Sequence, residues 1–123
     1  MDAIEILNAN YSGIQGSFIY FLHEESKFHK ESFWDYYICL VKLSRQSISN
    51  GIDNEISYKV IFTYGYILES IAHHFDPNDL YKIKYFPRKK YNLYLERLRF
   101  AMDGYFLGRI YEEDIFELNN PNL

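Results

Sequence analysis

Apolar positions recur along the chain at helical spacing. Between Ser32 and Ser49, Phe33, Tyr37, Leu40, Val41, Ser44 and Ile48 fall three and four residues apart, one stripe of an amphipathic helix. Ser32 is placed to cap its start, with Asp35 three residues on, and Asn50-Gly51 to end it. A second stripe (Ile56, Val60, Thr63, Tyr64, Ile67, Leu68, Ile71) predicts a helix from Asn54 to Phe75. Val60 to Thr63 has strand propensity, but a stripe sustained over four turns outweighs it. A third helix is predicted after Phe86, with Pro87 in its first turn and Tyr91, Leu95, Leu98, Met102, Tyr105 and Phe106 on one face, ended between Gly104 and Gly108.

Shorter pieces fill the rest. Ala3–Leu7 and Ser17–His23 are candidate short helices separated by Gly13 and Gly16, and Asp76-Pro77 reads as the start of another through Tyr81. The tail from Ile110 to Leu123, with acids, asparagines and Pro121, predicts irregular structure. The chain is therefore expected to be all-α: one domain over residues 1–123, a helical bundle of about five helices. Its 123 residues, 48% hydrophobic and 24% charged, are enough for one core.

No membrane span is expected. The uncharged stretch Ile6–Leu22 carries Asn8, Asn10, Gln15 and two glycines, and Val60–Leu68 is too short to cross. The acidic start Met1-Asp2-Ala3-Ile4-Glu5 lacks the positive charge of a secretory signal. Cys39 is the only cysteine, so no internal disulfide forms, and a cytoplasmic location is expected.

Candidate chemistry is sparse. His73 and His74 are adjacent and diverge by about 100° on a helix; His23 and His29 are six apart, not at the spacing of a helical metal site. Cys39, in an apolar helix, reads as packing rather than as a nucleophile. Gly13-Ile14-Gln15-Gly16 is not a phosphate cradle, and Gly65 reads as a point where another helix approaches closely. No metal or cofactor is expected. Glu24-Glu25 and Glu112-Glu113-Asp114 could serve a small enzyme only if burial separated their acidities; solvated surface is the plainer reading.

Charge changes the picture more. Residues 1–79 hold 11 acids and 5 bases; residues 82–99 hold seven bases (Lys82, Lys84, Arg88, Lys89, Lys90, Arg97, Arg99) against Glu96; the last 24 residues hold five acids against Arg109. The basic segment is interleaved with Tyr81, Tyr85, Phe86, Tyr91 and Tyr94, the mixture of a single-stranded nucleic-acid groove. Tyr91 shares a face with Leu95 and Leu98 and reads as core, and the net charge of −4 counts against a dedicated nucleic-acid binder. In the tail, Tyr111, Glu112, Glu113, Asp114, Phe116 and Glu117 combine negative charge with apolar anchors and would suit a basic protein partner. Alternatively, Ile115, Phe116 and Leu118 fold back onto the third helix. Aromatic residues make up 20% of the chain, with 13 Tyr, a composition that would also support a homodimer.

Three stretches carry a family resemblance: His74-Phe75-Asp76-Pro77-Asn78-Asp79-Leu80-Tyr81; Glu96-Arg97-Leu98-Arg99-Phe100 with Asp103-Gly104-Tyr105-Phe106-Leu107-Gly108; and Phe116-Glu117-Leu118-Asn119-Asn120-Pro121. Together they resemble small bacterial immunity proteins that accompany polymorphic toxins, including those of contact-dependent growth inhibition. The resemblance implies a cytoplasmic, non-enzymatic inhibitor that binds the C-terminal domain of one cognate toxin, often a nuclease, and blocks its active site or substrate path. Contact residues vary within such families, so none carries over. The rival expectation is a nucleic-acid-associated helical module using residues 82–99.

Overall fold

A computed structural model describes all of residues 1–123 as an all-α bundle: α1 (Ala3–Tyr11), α2 (Phe18–Glu24), α3 (Lys30–Asn50), α4 (Asn54–Phe75) and α5 (Tyr91–Leu107), then a single 3₁₀ turn at Glu113–Ile115. Its only β-type pairing is an isolated bridge between Lys27 and Lys84. No helix is long and apolar enough to cross a membrane.

The helix starts follow from local hydrogen bonding. Asp2 and Glu5 form a capping box on α1, with Glu5 N–H donating to Asp2 at 2.8 Å. The helix runs on past Leu7 to Tyr11. Asn10 turns inward there, donating to the Ile6 carbonyl and accepting from the Ile19 amide, so it ties α1 to α2. Ser17 caps α2. The cap of α3 is His29 rather than Ser32: its Nδ1 accepts from Ser32 N–H at 3.2 Å while its ring stacks on Phe21 at 4.0 Å. That stacking fixes the imidazole, and the helix begins two residues earlier than the stripe predicts. Asp53 caps α4, whose bounds agree with the stripe.

Two expectations fail between Phe75 and Tyr91. Asp76 ends α4 instead of opening a helix, because its carboxylate accepts from Asn78 N–H and Asp79 accepts from Tyr81 N–H. Such local side-chain bonds take the amides a helix would need. Pro87 likewise does not start α5. Residues 88–90 form a turn, and their three bases would face the positive end of the helix dipole. The linker is pinned instead by the bridge, in which Lys84 N–H donates to Ser26 O at 2.7 Å and Phe28 N–H to Lys84 O at 2.9 Å. Ser26 and Tyr85, on the two sides of it, take positive φ of 48° and 58°.

Helix α3 is central and packs against both α1 and α5. Phe18, Phe28, Phe33 and Tyr94 meet within the core, edge-to-face except for the stacked Phe28–Phe33 pair, so much of the aromatic content is interior. Cys39 is interior too: its thiol donates to the Ala3 carbonyl at 3.1 Å, and burial pushes its pKa up to about 12. The buried face of α5 is rotated from the expected one. It consists of Tyr94, Arg97, Leu98, Ala101, Gly104 and Tyr105, while Tyr91, Leu95, Met102 and Phe106 are half-buried.

Small residues explain the rotation. Ser44 of α3 donates to the Ala101 carbonyl at 2.8 Å, and a Cβ on Gly104 would stand 2.5 Å from the Arg109 carbonyl oxygen and 3.1 Å from Ser44 Oγ. The close approach expected at Gly65 is thus found at Gly104. At Gly65 an added Cβ meets nothing within 4 Å, and the backbone is not left-handed. Gly104→Ala should therefore destabilise the fold by about 1–3 kcal/mol through overpacking. Gly65→Ala should stabilise it by up to about 1 kcal/mol through helix propensity. Denaturant unfolding of dilute samples tests both, and a neutral Gly104→Ala would contradict the packing.

Candidate partner-binding surface

The C-terminal segment is organised by Arg97. Its side chain is only 1% exposed, although it belongs to the segment that reads as basic surface in the sequence. Burying a guanidinium is costly unless every N–H finds an acceptor. Here all five do. Nη1 donates to Glu113 Oε2 at 2.8 Å and to the Tyr37 hydroxyl at 2.9 Å. Nη2 donates to Glu113 Oε1 at 2.9 Å, and Nη2 and Nε both donate to the Leu118 carbonyl, at 2.5 and 3.2 Å. The Phe116 ring covers the guanidinium with its centroid 4.1 Å away, and Tyr37 and Trp34 flank it at 5.2 and 5.5 Å. Burial works against the Arg97 charge, but the bonds to Glu113 and Tyr37 outweigh it and hold the guanidinium above its usual pKa. Burial also raises the Tyr37 hydroxyl, which stays a neutral partner.

The tail is consequently a strap held against α3 and α5, and its six expected contact residues divide into two sets. Glu113 and Phe116 face Arg97, and Tyr111 packs edge-on against Phe100 at 4.8 Å while accepting from Arg109. Glu112, Asp114 and Glu117 are exposed and form no ion pair within the chain. Phe116 and Leu118 do fold back towards α5, whereas Ile115 stays exposed. Beside the strap lies an open groove of about 320 Å³, with Ile38 and Val41 of α3, Phe100 of α5, and Arg109, Tyr111 and Glu112 of the strap along its walls. The strap thus presents three carboxylates on a fixed backbone.

The other candidates are dispersed. Glu24 lies 3.7 Å from His23 and Glu25 3.8 Å from Lys27. His73 pairs with Asp79 at 2.9 Å, and His74 Nδ1 accepts from Ile83 N–H at 2.8 Å, burial and the nearby Lys82 and Arg88 lowering its pKa. In the basic segment Arg97 is interior, Arg99 pairs with Asp103, and Lys82 folds back onto the Asp76 and Asp79 carbonyls. Lys84, Arg88, Lys89 and Lys90 remain exposed. Of the five interleaved rings only Tyr85 is exposed, at 76%; Tyr94 is core, and Tyr81 donates to the Leu22 carbonyl.

No family model, curated protein or solved structure matches the chain. The surface itself is therefore what bears on function. The sequence pattern misses Arg97 because a single Arg in a basic run reads as solvated. The signal was its register: Arg97 lies between Tyr94 and Ala101 on the face that also carries Gly104.

Arg97→Met should leave Glu113 without its partner and release the strap. The expected loss is about 2–4 kcal/mol. Amides of residues 112–118 should lose hydrogen-exchange protection well beyond the rest of the chain, and uniform loss across all helices would contradict the clamp.

Proposed function

We propose that this chain is an immunity protein, one that binds the C-terminal domain of a cognate toxin in the cytoplasm and neutralises it by covering its active site or substrate path. The observation that carries the reading is the acidic strap. Glu112, Asp114 and Glu117 stand unpaired on a segment that Arg97 holds rigid, so little ordering entropy is lost when a basic surface docks there. Ile115, exposed between the carboxylates, supplies an apolar contact. Enzymes that act on nucleic acid carry basic clefts, and a preformed acidic ridge is complementary to one. The resemblance of the stretches around Asp76, Arg97 and Glu117 to immunity proteins points the same way.

The test uses the toxic domain of an exported protein encoded next to this chain. Nanomolar or tighter binding with loss of toxicity is the expected result. Changing Glu112, Asp114 and Glu117 together to Lys should slow association by about tenfold or more and flatten its salt dependence. Glu113 is left intact because its reversal would break the clamp. Unchanged association and salt dependence in the triple variant would exclude the strap as the contact.

A second reading, a nucleic-acid-associated module, is favoured by one feature. Tyr85 is held out from the linker in a left-handed conformation beside Lys84, with Arg88, Lys89 and Lys90 following. Exposed rings among cations stack bases while the cations contact phosphate. Retention of a single-stranded oligonucleotide on filters at low salt, lost steeply at higher salt and lost in Tyr85→Ala, is what this reading requires. No retention at low salt eliminates it.

A further inference from the structure

The outer face of α4 is largely apolar, with Glu69 the exposed charged residue on it, and only its Tyr58 and Phe62 rings meet another element of the chain, at Tyr11. With about 100° per residue, Tyr58, Ile61, Leu68 and Ala72 all lie within roughly 60° of the direction of Gly65. Tyr58 is 58% exposed, Ile61 56% and Leu68 38%, and Phe62 at the edge of the row is 39% exposed. Phe62 is braced by Tyr11 at 4.9 Å and Tyr66 at 6.5 Å, so the edge is ordered. Gly65 sits at the midpoint of a helix running from residue 54 to residue 75. Neither its backbone conformation nor its neighbours require a glycine, since an added Cβ would find open space. A mid-helix glycine that weakens its own helix without an internal reason fits the close approach of a second backbone from outside.

We infer that α4 pairs antiparallel with α4 of a second copy of this chain, with Gly65 against Gly65. Self-complementarity selects this occupant. The half of the row before Gly65 is bulky and apolar (Tyr58, Ile61, Phe62), and the half after it has the smaller Leu68 and Ala72 with Glu69 at its rim. A two-fold axis at Gly65 sets one half against the other at each end: Tyr58 over Ala72 and Ile61 against Leu68, with Phe62 beside Glu69 at the opposite rim, where the carboxylate keeps its water. The four exposed apolar side chains amount to on the order of 400 Å² per copy, taking about 200 Å² for a whole side chain. That is half the roughly 800 Å² per partner of a standard interface, so the dimer should be weak, with a micromolar dissociation constant.

Sedimentation velocity on the full chain across the micromolar range is expected to show a reversible monomer–dimer equilibrium. Gly65→Lys adds a good helix former where the single chain has open space, so the thermal melt of dilute protein should not fall. Its dimerisation should weaken by about thirtyfold or more. Orientation is read by mixing Ile61→Cys with Leu68→Cys chains under mild oxidation. Cys39 is buried and does not compete, and the antiparallel pair gives the mixed 61–68 disulfide in preference to 61–61. A chain that stays monomeric throughout, a dimer that Gly65→Lys leaves intact, or preferential 61–61 crosslinking would each overturn the inference. Monomeric protein whose binding to a toxic domain is lost in Gly65→Lys would overturn it as well, and would assign the face to that partner.

Discussion

One buried guanidinium sets the C-terminal third of this molecule. Arg97 cannot leave water without acceptors for five N–H groups, and no single helix supplies them: Tyr37 comes from α3, Glu113 from the 3₁₀ turn, and a carbonyl from Leu118. Meeting that demand fixes three things together. It reinforces the rotation of α5 that the Gly104–Ser44 contact requires, it holds the course of the chain after Gly108, and it leaves Glu112, Asp114 and Glu117 outward. The exposed carboxylates are oriented by a charge that is itself invisible from the surface. Replacing the pair with apolar side chains could give an equally stable core, but the hydrogen bonds from Arg97 that fix Glu113 and the Leu118 carbonyl in register would be gone. In this fold the ion pair specifies position more than it adds stability.

The same pair redraws the charge map. In sequence the chain alternates acidic, basic and acidic blocks, with residues 82–99 the most concentrated positive charge. In three dimensions one base and one acid cancel internally, Arg99 answers Asp103 within its own helix, and Lys82 caps the end of α4 through the Asp76 carbonyl. The clusters that remain in the last two blocks are smaller and better localised: four cations on and just after the bridge-pinned linker, and three carboxylates on the strap. Block charges overstate interaction surfaces because residues three or four apart on a helix pair with each other before they meet a partner.

Much of the fold was legible in the sequence. The stripes of α3 and α4 give two long helices with their bounds nearly right; Gly51 ends α3 with positive φ as expected, and α5 ends before Gly108, between the two glycines that bracket it. Errors cluster where side chains compete with the backbone for its amides. The Asp76 and Asp79 turns abolish a predicted helix, and the stacked His29 takes a capping role that Ser32 was expected to fill. The candidate surface was legible only in part. Six tail residues were singled out by charge and aromaticity, but the division into three outward acids and three inward anchors depends on Arg97, whose burial contradicts its residue type. Periodicity alone did not reach it, because Arg and Gly both count against a buried stripe and α5 buries both.

The two α-helical glycines carry the last step. Gly104 and Gly65 look alike in sequence, each a single glycine inside an apolar helical pattern. At Gly104 the cost of a flexible residue is offset by a close contact between α5 and Ser44 and by the Arg109 carbonyl. At Gly65 the cost has no internal offset, and the flanking residues are apolar and exposed. A dimer through α4 would use neither the strap nor the groove beside it, which α3 and α5 hold. Each copy would keep its three outward carboxylates free, so pairing and partner capture would add rather than compete. The expected assembly with a basic partner is then two copies of this chain with two of the partner, its stoichiometry set by α4 and its affinity by the strap.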